Sequence, residues 1–211
     1  MSRLPSTVRQ LIAALRGLLI FTVICGIVYP LVMFGISQVA FSKQANGSLV
    51  HYHHRVVGSS LLCQEFTDAK GNPLPQYFLA RPSASASSPT NGTGGCNPLA
   101  TGASNLGPNN PKLVMGIRQR QAQISKFDHV PVSAIPPDAV TASASGLDPY
   151  ISPQNAAIQV NRVATARGIS PATVDALVKK YTFGRQLGFL GEPGVNVLLL
   201  NNGLDNQHHV P

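Results

Sequence analysis

A long apolar segment near the start of the chain dominates its pattern of hydrophobic and polar positions. Residues 17–42 contain no Asp, Glu, Lys, Arg or His. As a helix, this segment would be about 39 Å long, which exceeds the roughly 30 Å hydrocarbon thickness of a bilayer. It is also longer than the apolar part of a cleaved signal peptide. The pattern therefore predicts one transmembrane helix over residues 17–42.

Three residues of this predicted helix form a stripe of small or helix-distorting positions. Thr22, Gly26 and Pro30 are spaced four residues apart, and such a stripe lets a second helix approach closely. Because Pro30 has no N–H to donate to the carbonyl of Gly26, a kink is expected near Gly26. The three residues are candidate contacts with a partner helix, and the alternative is an anchor without a partner.

Residues 43–211 carry the spacing typical of a folded α+β domain. Helices are predicted where Ser or Pro precedes apolar residues at helical spacing, and strands where short apolar runs lie between turn residues. The predicted helices cover 111–126, 153–167 and a segment starting at 171, and the predicted strands or extended segments cover 56–62, 76–79, 130–132, 139–142 and 195–200. A turn is predicted over 68–73, and residues 206–211 are expected to fray.

A long polar stretch precedes the first predicted helix. Residues 82–110 are rich in Ser, Thr, Gly and Asn and hold almost no large apolar side chain. This composition offers too little hydrophobic surface for a core element. We therefore expect a long loop, and a loop of this length inside a compact domain is usually functional or mobile.

The distribution of charge gives the expected orientation of the anchor. The chain has 16 Lys and Arg against 8 Asp and Glu, a net charge of +8. The arginines that precede the apolar segment are Arg3, Arg9 and Arg16. Only Lys43 follows it closely, and positively charged flanks stay in the cytoplasm. Residues 1–16 are thus expected inside the cell and residues 43–211 outside the cytoplasm, anchored in the cell inner membrane. The other cations are scattered, which argues against a nucleic-acid partner.

Few residues form a pattern typical of catalysis or metal binding. The sequence has no Gly-rich loop ending in Lys for phosphates and no G-x-S-x-G motif, so an anchored hydrolase has no motif in its favour. His51, His53 and His54 are close in sequence, and a strand or loop could bring their imidazoles together on a metal. A membrane-anchored periplasmic metal-binding or sensor module is accordingly the alternative function, although exposed polar histidines are the simpler interpretation.

The three cysteines divide between the two parts of the chain. Cys25 lies in the apolar segment, while Cys63 and Cys96 lie beyond it. An oxidising compartment would permit a bridge between Cys63 and Cys96. Such a bridge would tie the polar loop to the first strand region, and two free thiols are the alternative.

Seven short motifs of the predicted outer domain, taken in order, resemble the KdpC family, a subunit of the bacterial Kdp potassium pump, which is a P-type ATPase complex. The motifs lie at residues 58–62, 77–84, 102–111, 140–149, 151–153, 162–168 and 190–205. Together with the single N-terminal apolar segment they cover nearly the whole chain. Any one of them would be weak, but the ordered set is specific.

The resemblance implies a non-catalytic accessory subunit that supports assembly of a high-affinity, ATP-driven potassium uptake complex. Its partners would be a channel-like subunit that selects potassium and a pump subunit that hydrolyses ATP. Potassium would then be handled by the partners, and this chain would hold no cofactor firmly. The family is also described as a catalytic chaperone that raises the ATP affinity of the pump subunit, with Ser104 and Asn105 as weak candidates for contact with nucleotide. Because a domain outside the cytoplasm meets no ATP, the charge asymmetry favours a place over the outer mouth of the potassium pathway instead.

Three more residues within the matching motifs are candidate partner contacts, namely Arg81, Ser83 and Asp148. The simpler interpretation is that these side chains shape turns through local hydrogen bonds. The sequence also departs from the family pattern around the polar loop. The departures are Cys63 in place of an expected Gly and apparent insertions over residues 67–74 and 91–101.

Overall fold

The computed structural model describes residues 5–85 and 96–207 of the chain. Of these residues, 5–48 form one compact unit, and 49–85 with 96–207 form a second unit with its own hydrophobic core. The middle of the predicted loop over 82–110, Arg3 and the last four residues lie outside the described residues. The assignment of each segment to one side of a membrane stays a prediction.

The first unit is one long helix with a distorted turn in its middle, followed by a short helix. The long helix consists of α1 (Ser6–Val23), a π-helical turn (Ile24–Val28) and α2 (Tyr29–Ala40). Phe41, with a non-helical backbone, separates it from the short α3 (Ser42–Ala45). By length and composition, the 35 residues from Ser6 to Ala40 could cross a membrane. The helix begins before Gly17 because the preceding residues, which include Gln10 and Arg16, are good helix formers.

The π-helical turn lies where the sequence predicts a kink. Tyr29 donates its N–H to the carbonyl of Ile24, five residues back rather than four. A single wide turn of this kind is one way in which a helix adjusts to the missing donor of a proline. The structure thus has a local distortion at the place where the kink is expected, and the bend of the helix axis stays a prediction.

The second unit opens with a hairpin of β1 (Leu49–Tyr52) and β2 (Arg55–Ser59), which pair antiparallel. Both residues of its two-residue turn have positive φ, 46° at His53 and 65° at His54. This is the backbone of the turn whose twist matches paired strands. The strand predicted over 56–62 thus exists but ends at Ser59, and β1 was not predicted.

Three of the following helices begin at a residue whose side chain accepts a hydrogen bond from the first turn. They are α4 (Pro111–Asp128) after Asn110, α6 (Pro153–Arg167) after Ser152 and α7 (Pro171–Lys180) after Ser170. The short α5 (Pro137–Val140) lies between α4 and α6. Asn and Ser at this position, followed by Pro, are strong start signals, so the three long helices predicted from the sequence are confirmed.

A small antiparallel sheet and a last helix complete the second unit. The strands are β3 (Tyr150–Ile151), β4 (Thr182–Phe183) and β5 (Gly194–Asn196), and the helix is α8 (Val197–Gln207). The strand order is β3-β5-β4, so β5 lies in the centre. Helix α6 packs against α7, and α7 packs against α8. The core between these elements includes the inaccessible side chains of Phe78, Val163, Val174, Val195, Leu200 and Leu204. The predicted α+β class is confirmed.

The strand predicted for the apolar run over 195–200 is wrong beyond Asn196, where β5 ends and α8 begins. The Oδ1 atom of Asn196 accepts the N–H of Leu199 at 3.0 Å, which caps the start of α8. Leu200 and Leu204 are buried on the same face of this helix. A short buried run carries no periodicity that separates strand from helix. Because α8 continues to Gln207, the expectation that the chain frays from residue 206 is wrong for the first two residues.

Two other predicted extended segments are also different in the structure. Residues 139–142 were predicted as extended, but Ala139 and Val140 end α5 because Pro137 starts a helical turn. Residues 130–132 were predicted as extended, and a 3₁₀ turn begins at Val132. The turn predicted over 68–73 is confirmed, since Asp68 Oδ1 accepts the N–H groups of Lys70 and Asn72.

Candidate functional surfaces

The segment over residues 75–80 is held by side chains of α6 and α8 rather than by a neighbouring strand. The amide of Asn201 accepts the N–H of Phe78 and donates to its carbonyl, both at 2.9 Å. The amide of Gln159 does the same for Leu79, at 2.8 and 3.3 Å. Because these groups are already paired, the backbone does not need a strand partner. The strand predicted over 76–79 is therefore wrong.

Arg162 of α6 is the centre of a buried polar network beside this segment. Its Nε donates to Asp128 Oδ1 at 2.6 Å, and its Nη1 donates to the carbonyls of Pro75 and Tyr77 at 2.6 and 2.8 Å. The side chains of Arg162 and Asp128 are only 4% and 5% exposed. Since Asp128 ends α4, this network ties α4 and α6 to the segment over residues 75–80.

Burial controls the protonation of this pair. Burial lowers the pKa of the Arg162 guanidinium and raises the pKa of the Asp128 carboxyl, and the attraction between the two charges opposes each shift. Either group alone would be an uncompensated charge in the interior. Each side chain therefore depends on the other to remain buried.

A second charged clamp fixes the start of the same segment. Arg167 donates from Nε to the carbonyl of Gln76 and from Nη2 to Asp205 Oδ1, both at 2.7 Å. Tyr77 donates its hydroxyl to the other oxygen of Asp205 at 3.1 Å. Burial, followed by the nearby Asp205 charge, raises the pKa of Tyr77. These contacts join α6 to α8 and are structural in kind.

A cleft of about 970 Å³ is lined by residues from 70–82, α4 and α6. Its charged lining residues are Lys70, Arg120, Lys126, Asp128 and Arg162. Within the described chain, Arg120 Nε and Gln123 Oε1 are buried without a hydrogen-bond partner. The sequence did not predict this cleft, because its walls come from segments far apart in the chain. Start signals and spacing located α4 but could not show what it faces.

Three predicted contact residues come together beside the turn at Gly146. Arg81 Nη1 lies 3.1 Å from Asp148 Oδ2, and Ser83 Oγ donates to the carbonyl of Gly146 at 2.9 Å. Asp148 Oδ1 also accepts the N–H of Tyr150 at 3.0 Å. Gly146 has φ 73°, and a Cβ there would lie 2.9 Å from Ser83 Oγ. Ser83 and Asp148 thus bond the local backbone, and Arg81 pairs with the Asp148 side chain. Contact of the three residues with a partner stays a prediction.

A disulfide joins the polar loop to the end of the hairpin region. Cys63 and Cys96 are bonded, with their Cα atoms 5.8 Å apart. The N–H of Cys63 donates to the carbonyl of Leu147 at 3.0 Å, so the bridge also reaches the turn at Gly146. The structure selects the bridge over two free thiols, and Cys25 is a free, exposed cysteine.

The two weak candidates for nucleotide contact lie on an exposed part of the loop. Ser104 and Asn105 are exposed, and Asn105 has a left-handed backbone with φ 52°. Asn is one of the few residues that adopts this conformation readily. Neither residue belongs to the cleft as the described part of the chain forms it. Their role stays a prediction.

The small residues of the long helix face open space. Thr22, Gly26 and Pro30 are all exposed. A Cβ placed on Gly26 would meet nothing nearer than Thr22 Cγ2, at 4.0 Å. The surface around Gly26 is therefore free to receive another helix, and the partner itself stays a prediction.

His51, His53 and His54 do not form a metal site with one another or with other described residues. His53 and His54 form the turn of the hairpin, and His51 lies on β1. Over residues 5–85 and 96–207, no group of three or more His, Cys, Asp or Glu side chains is arranged to hold a metal ion. The alternative of a metal-binding or sensor module at these histidines is not supported.

Taken together, these features define a class of protein with one apolar N-terminal helix that could cross a membrane and one α+β domain built around side-chain clamps. The family described as "K+-transporting ATPase, c chain", or KdpC, matches residues 11–206. The chain therefore belongs to the KdpC family.

Close relatives agree with this assignment over nearly their whole length. A protein of Sorangium cellulosum named potassium-transporting ATPase KdpC subunit is 49% identical over 91% of this chain and 95% of its own length. Proteins of the same name from Mycobacterium tuberculosis (strain H37Rv) and Methylococcus capsulatus are each 46% identical. They cover 93% and 91% of this chain, and 98% and 95% of their own lengths, respectively.

Proposed function

We propose that this chain is a non-catalytic accessory subunit of an ATP-driven potassium uptake complex and supports the assembly of that complex. The match to the KdpC family over residues 11–206 carries this proposal. Its partners are a channel-like subunit that selects potassium and a pump subunit that hydrolyses ATP. The chain holds no cofactor firmly, and the partners handle potassium.

The proposal places the α+β domain outside the cytoplasm, with the start of the chain inside. Arg9 and Arg16 lie before the apolar part of the helix and Lys43 lies after it, an asymmetry that favours an inside N-terminus. The bond between Cys63 and Cys96 supports the same placement, since structural disulfides persist in oxidising compartments and are rare in the cytosol. The two arguments are independent, because one rests on charge and the other on redox conditions.

Thiol labelling of intact cells tests the placement. The background variant replaces Cys25 with Ser, so that an engineered cysteine is the only free thiol among the described residues. Ser104→Cys reports on the outer domain, and Thr7→Cys, at an exposed position near the start of α1, is the matched control. A maleimide that cannot cross membranes should label Ser104→Cys in intact cells and Thr7→Cys only after lysis. The reverse pattern would refute the placement.

The role in assembly is tested by producing the complex with and without this chain in cells that lack their own potassium uptake. We expect the channel-like and pump subunits to separate during purification when the chain is missing, and growth at low potassium to fail. Recovery of an intact complex with unchanged potassium-stimulated ATP turnover would contradict the proposal.

The same preparation tests the second candidate role, which is to raise the ATP affinity of the pump subunit. ATP turnover is measured against ATP concentration with the wild-type chain and with Ser104→Ala and Asn105→Ala. If the domain lies outside the cytoplasm, neither substitution should change the KM for ATP. A raised KM in both variants, with assembly intact, would favour the nucleotide-assisting role and a cytoplasmic domain.

A further inference from the structure

An exposed hairpin, residues 183–193, connects β4 to β5. Every one of these residues is exposed. Near its tip, Gln186 and Leu190 exchange both backbone hydrogen bonds at 2.9 Å, and further back Arg185 pairs with Glu192 at 2.7 Å. The tip of the hairpin is thus held by its own contacts rather than by packing against the domain.

The tip carries three large apolar side chains that are largely exposed. Leu187, Phe189 and Leu190 are 82%, 69% and 48% exposed. Leu187 and Gly188 both have positive φ, 52° and 81°, and Gly, Asn and Asp adopt this backbone more readily than a bulky residue does. Leu187 therefore makes the turn less favourable and gains little burial in return. A large apolar residue at such a position indicates contact with something outside the chain.

Cationic side chains lie at the base of this apolar tip. Arg185 and Glu192 form the neck of the hairpin, and Lys179 and Lys180, both exposed, end α7 just before β4 begins. Residues 179–193 hold three cations and one acid. An apolar tip with a cationic base is typical of a segment that lies in a lipid interface. Its apolar side chains enter the boundary of the acyl chains, and its cations meet anionic headgroups.

The size and shape of the hairpin favour lipid over a protein partner. A stable protein interface buries about 800 Å² on each partner and draws on roughly 20–30 residues, whereas the hairpin has eleven residues, 183–193. A bilayer needs no such matched area, because lipids close around a protruding tip from every side. Residues 41–48, which join α2 to β1, can extend over at most about 30 Å. A chain anchored in a bilayer therefore keeps its second unit within reach of the surface.

We propose that the hairpin over residues 183–193 docks on a lipid bilayer that carries anionic headgroups. Leu187, Phe189 and Leu190 enter the region between headgroups and acyl chains, and the cations at the base lie among the headgroups. This contact gives the second unit an attachment besides the long helix and restricts how the unit is oriented on the membrane. It depends neither on the side of the membrane on which the unit lies nor on the role of the chain in potassium uptake.

A single introduced tryptophan tests the proposal, because the chain has no tryptophan of its own. Phe189→Trp keeps an aromatic side chain at the tip, and Met115→Trp on α4 is the matched control, since both positions are 69% exposed. The full chain is reconstituted in vesicles of equal parts phosphatidylglycerol and phosphatidylcholine, with and without bromine on the acyl chains. Bromine should quench the emission of Phe189→Trp and leave that of Met115→Trp unchanged. Equal quenching at both positions, or none at Phe189→Trp, would overturn the proposal.

A second substitution at the tip measures the apolar contribution. Leu187→Asn, made in the Phe189→Trp chain, suits the positive φ of the turn and so leaves the fold intact. It should lower the ratio of docked to free hairpin by about tenfold, because one buried apolar side chain is lost. Leu99→Asn, at a leucine that is 95% exposed outside the hairpin, should leave this ratio unchanged. An unchanged ratio with Leu187→Asn would contradict insertion of the tip.

Two further conditions separate the possible occupants. Vesicles of phosphatidylcholine alone should quench Phe189→Trp less than the mixed vesicles do, and equal quenching would contradict the attraction to anionic headgroups. Brominated lipid that leaves Phe189→Trp unquenched, together with a blue shift of its emission once the partner subunits are added, would show that the tip docks on protein and would overturn the proposal.

Discussion

At the scale of single residues, the domain depends on side chains that replace backbone partners. Asn201 satisfies both backbone groups of Phe78, and Arg162 bonds two carbonyls of the same segment while it pairs with Asp128. Such groups are expensive to leave unpaired once they are buried. Asn201 and Arg162 therefore contribute to stability as buried hydrogen-bond partners of the backbone, and not only as polar side chains.

Arg162→Met should destabilise the domain strongly. The substitution keeps most of the side-chain volume but leaves the Asp128 carboxylate buried without its counter-charge. We expect the free energy of unfolding to fall by about 3–5 kcal/mol, as measured by urea denaturation of the full chain in detergent. The control is Arg185→Met, which breaks the exposed contact with Glu192. This substitution should change the free energy of unfolding by less than about 1 kcal/mol. Similar losses in both variants would contradict the buried network.

Asp128→Asn should change how stability depends on pH. Burial raises the pKa of Asp128 above its ordinary value of 3.8, so the folded chain holds this proton more tightly than the unfolded chain. The resulting stabilisation is full below pH 3.8 and is lost as the pH rises through the raised pKa. The unfolding free energy of the wild type minus that of Asp128→Asn should therefore fall as the pH rises from about 3 towards neutral. A difference that grows with pH would show that the attraction of Arg162 outweighs burial.

At the scale of elements, the sequence predicted the helices that begin with a capping residue followed by Pro. It did not predict the elements that depend on tertiary partners. Helix α6 was predicted residue for residue because Ser152, Pro153 and Gly168 mark its ends. The apolar run over 195–200 gave no such mark, and its helix is set by the side-chain cap of Asn196. The strand predicted over 76–79 failed because amide side chains from distant helices take the place of a neighbouring strand. Sequence pattern records local signals and not these long-range contacts.

Gly26→Leu tests whether the long helix has a partner in the membrane. The chain itself has space for the larger side chain, since only Thr22 Cγ2 lies as near as 4.0 Å to a Cβ at this position. If another helix packs on this surface, the added bulk should keep the two apart and reduce recovery of the partner subunits during purification by about tenfold. Gly35→Leu, at a glycine with nothing within 4 Å, is the control. Unchanged recovery with Gly26→Leu would show an anchor without a partner at this surface.

At the scale of the whole molecule, the sequence indicated which pieces the chain contains more reliably than how they combine. The apolar helix and the α+β domain follow from composition and spacing, and the ordered motifs indicated the family. The cleft, the two charged clamps and the meeting of Arg81 and Ser83 with Asp148 did not follow, because each brings together segments that lie tens of residues apart in the chain. The Cys63–Cys96 bridge lies between these two cases, because the sequence allowed either a bridge or two free thiols and the fold selected the bridge.

Cys63→Ser tests both the stability that this bridge confers and the compartment in which it forms. The bond closes a loop between residues 33 positions apart, and cross-linking a loop of that length restricts the unfolded chain by about 3–4 kcal/mol. The variant, like Cys96→Ser, should lower the free energy of unfolding by about this amount, whereas Cys25→Ser should leave it unchanged because Cys25 is free and exposed. In intact cells, a thiol reagent that adds mass should modify Cys63 and Cys96 of the wild type only after reduction. Rapid modification without a reductant would show reduced thiols, and the domain would then belong on the cytoplasmic side of the membrane.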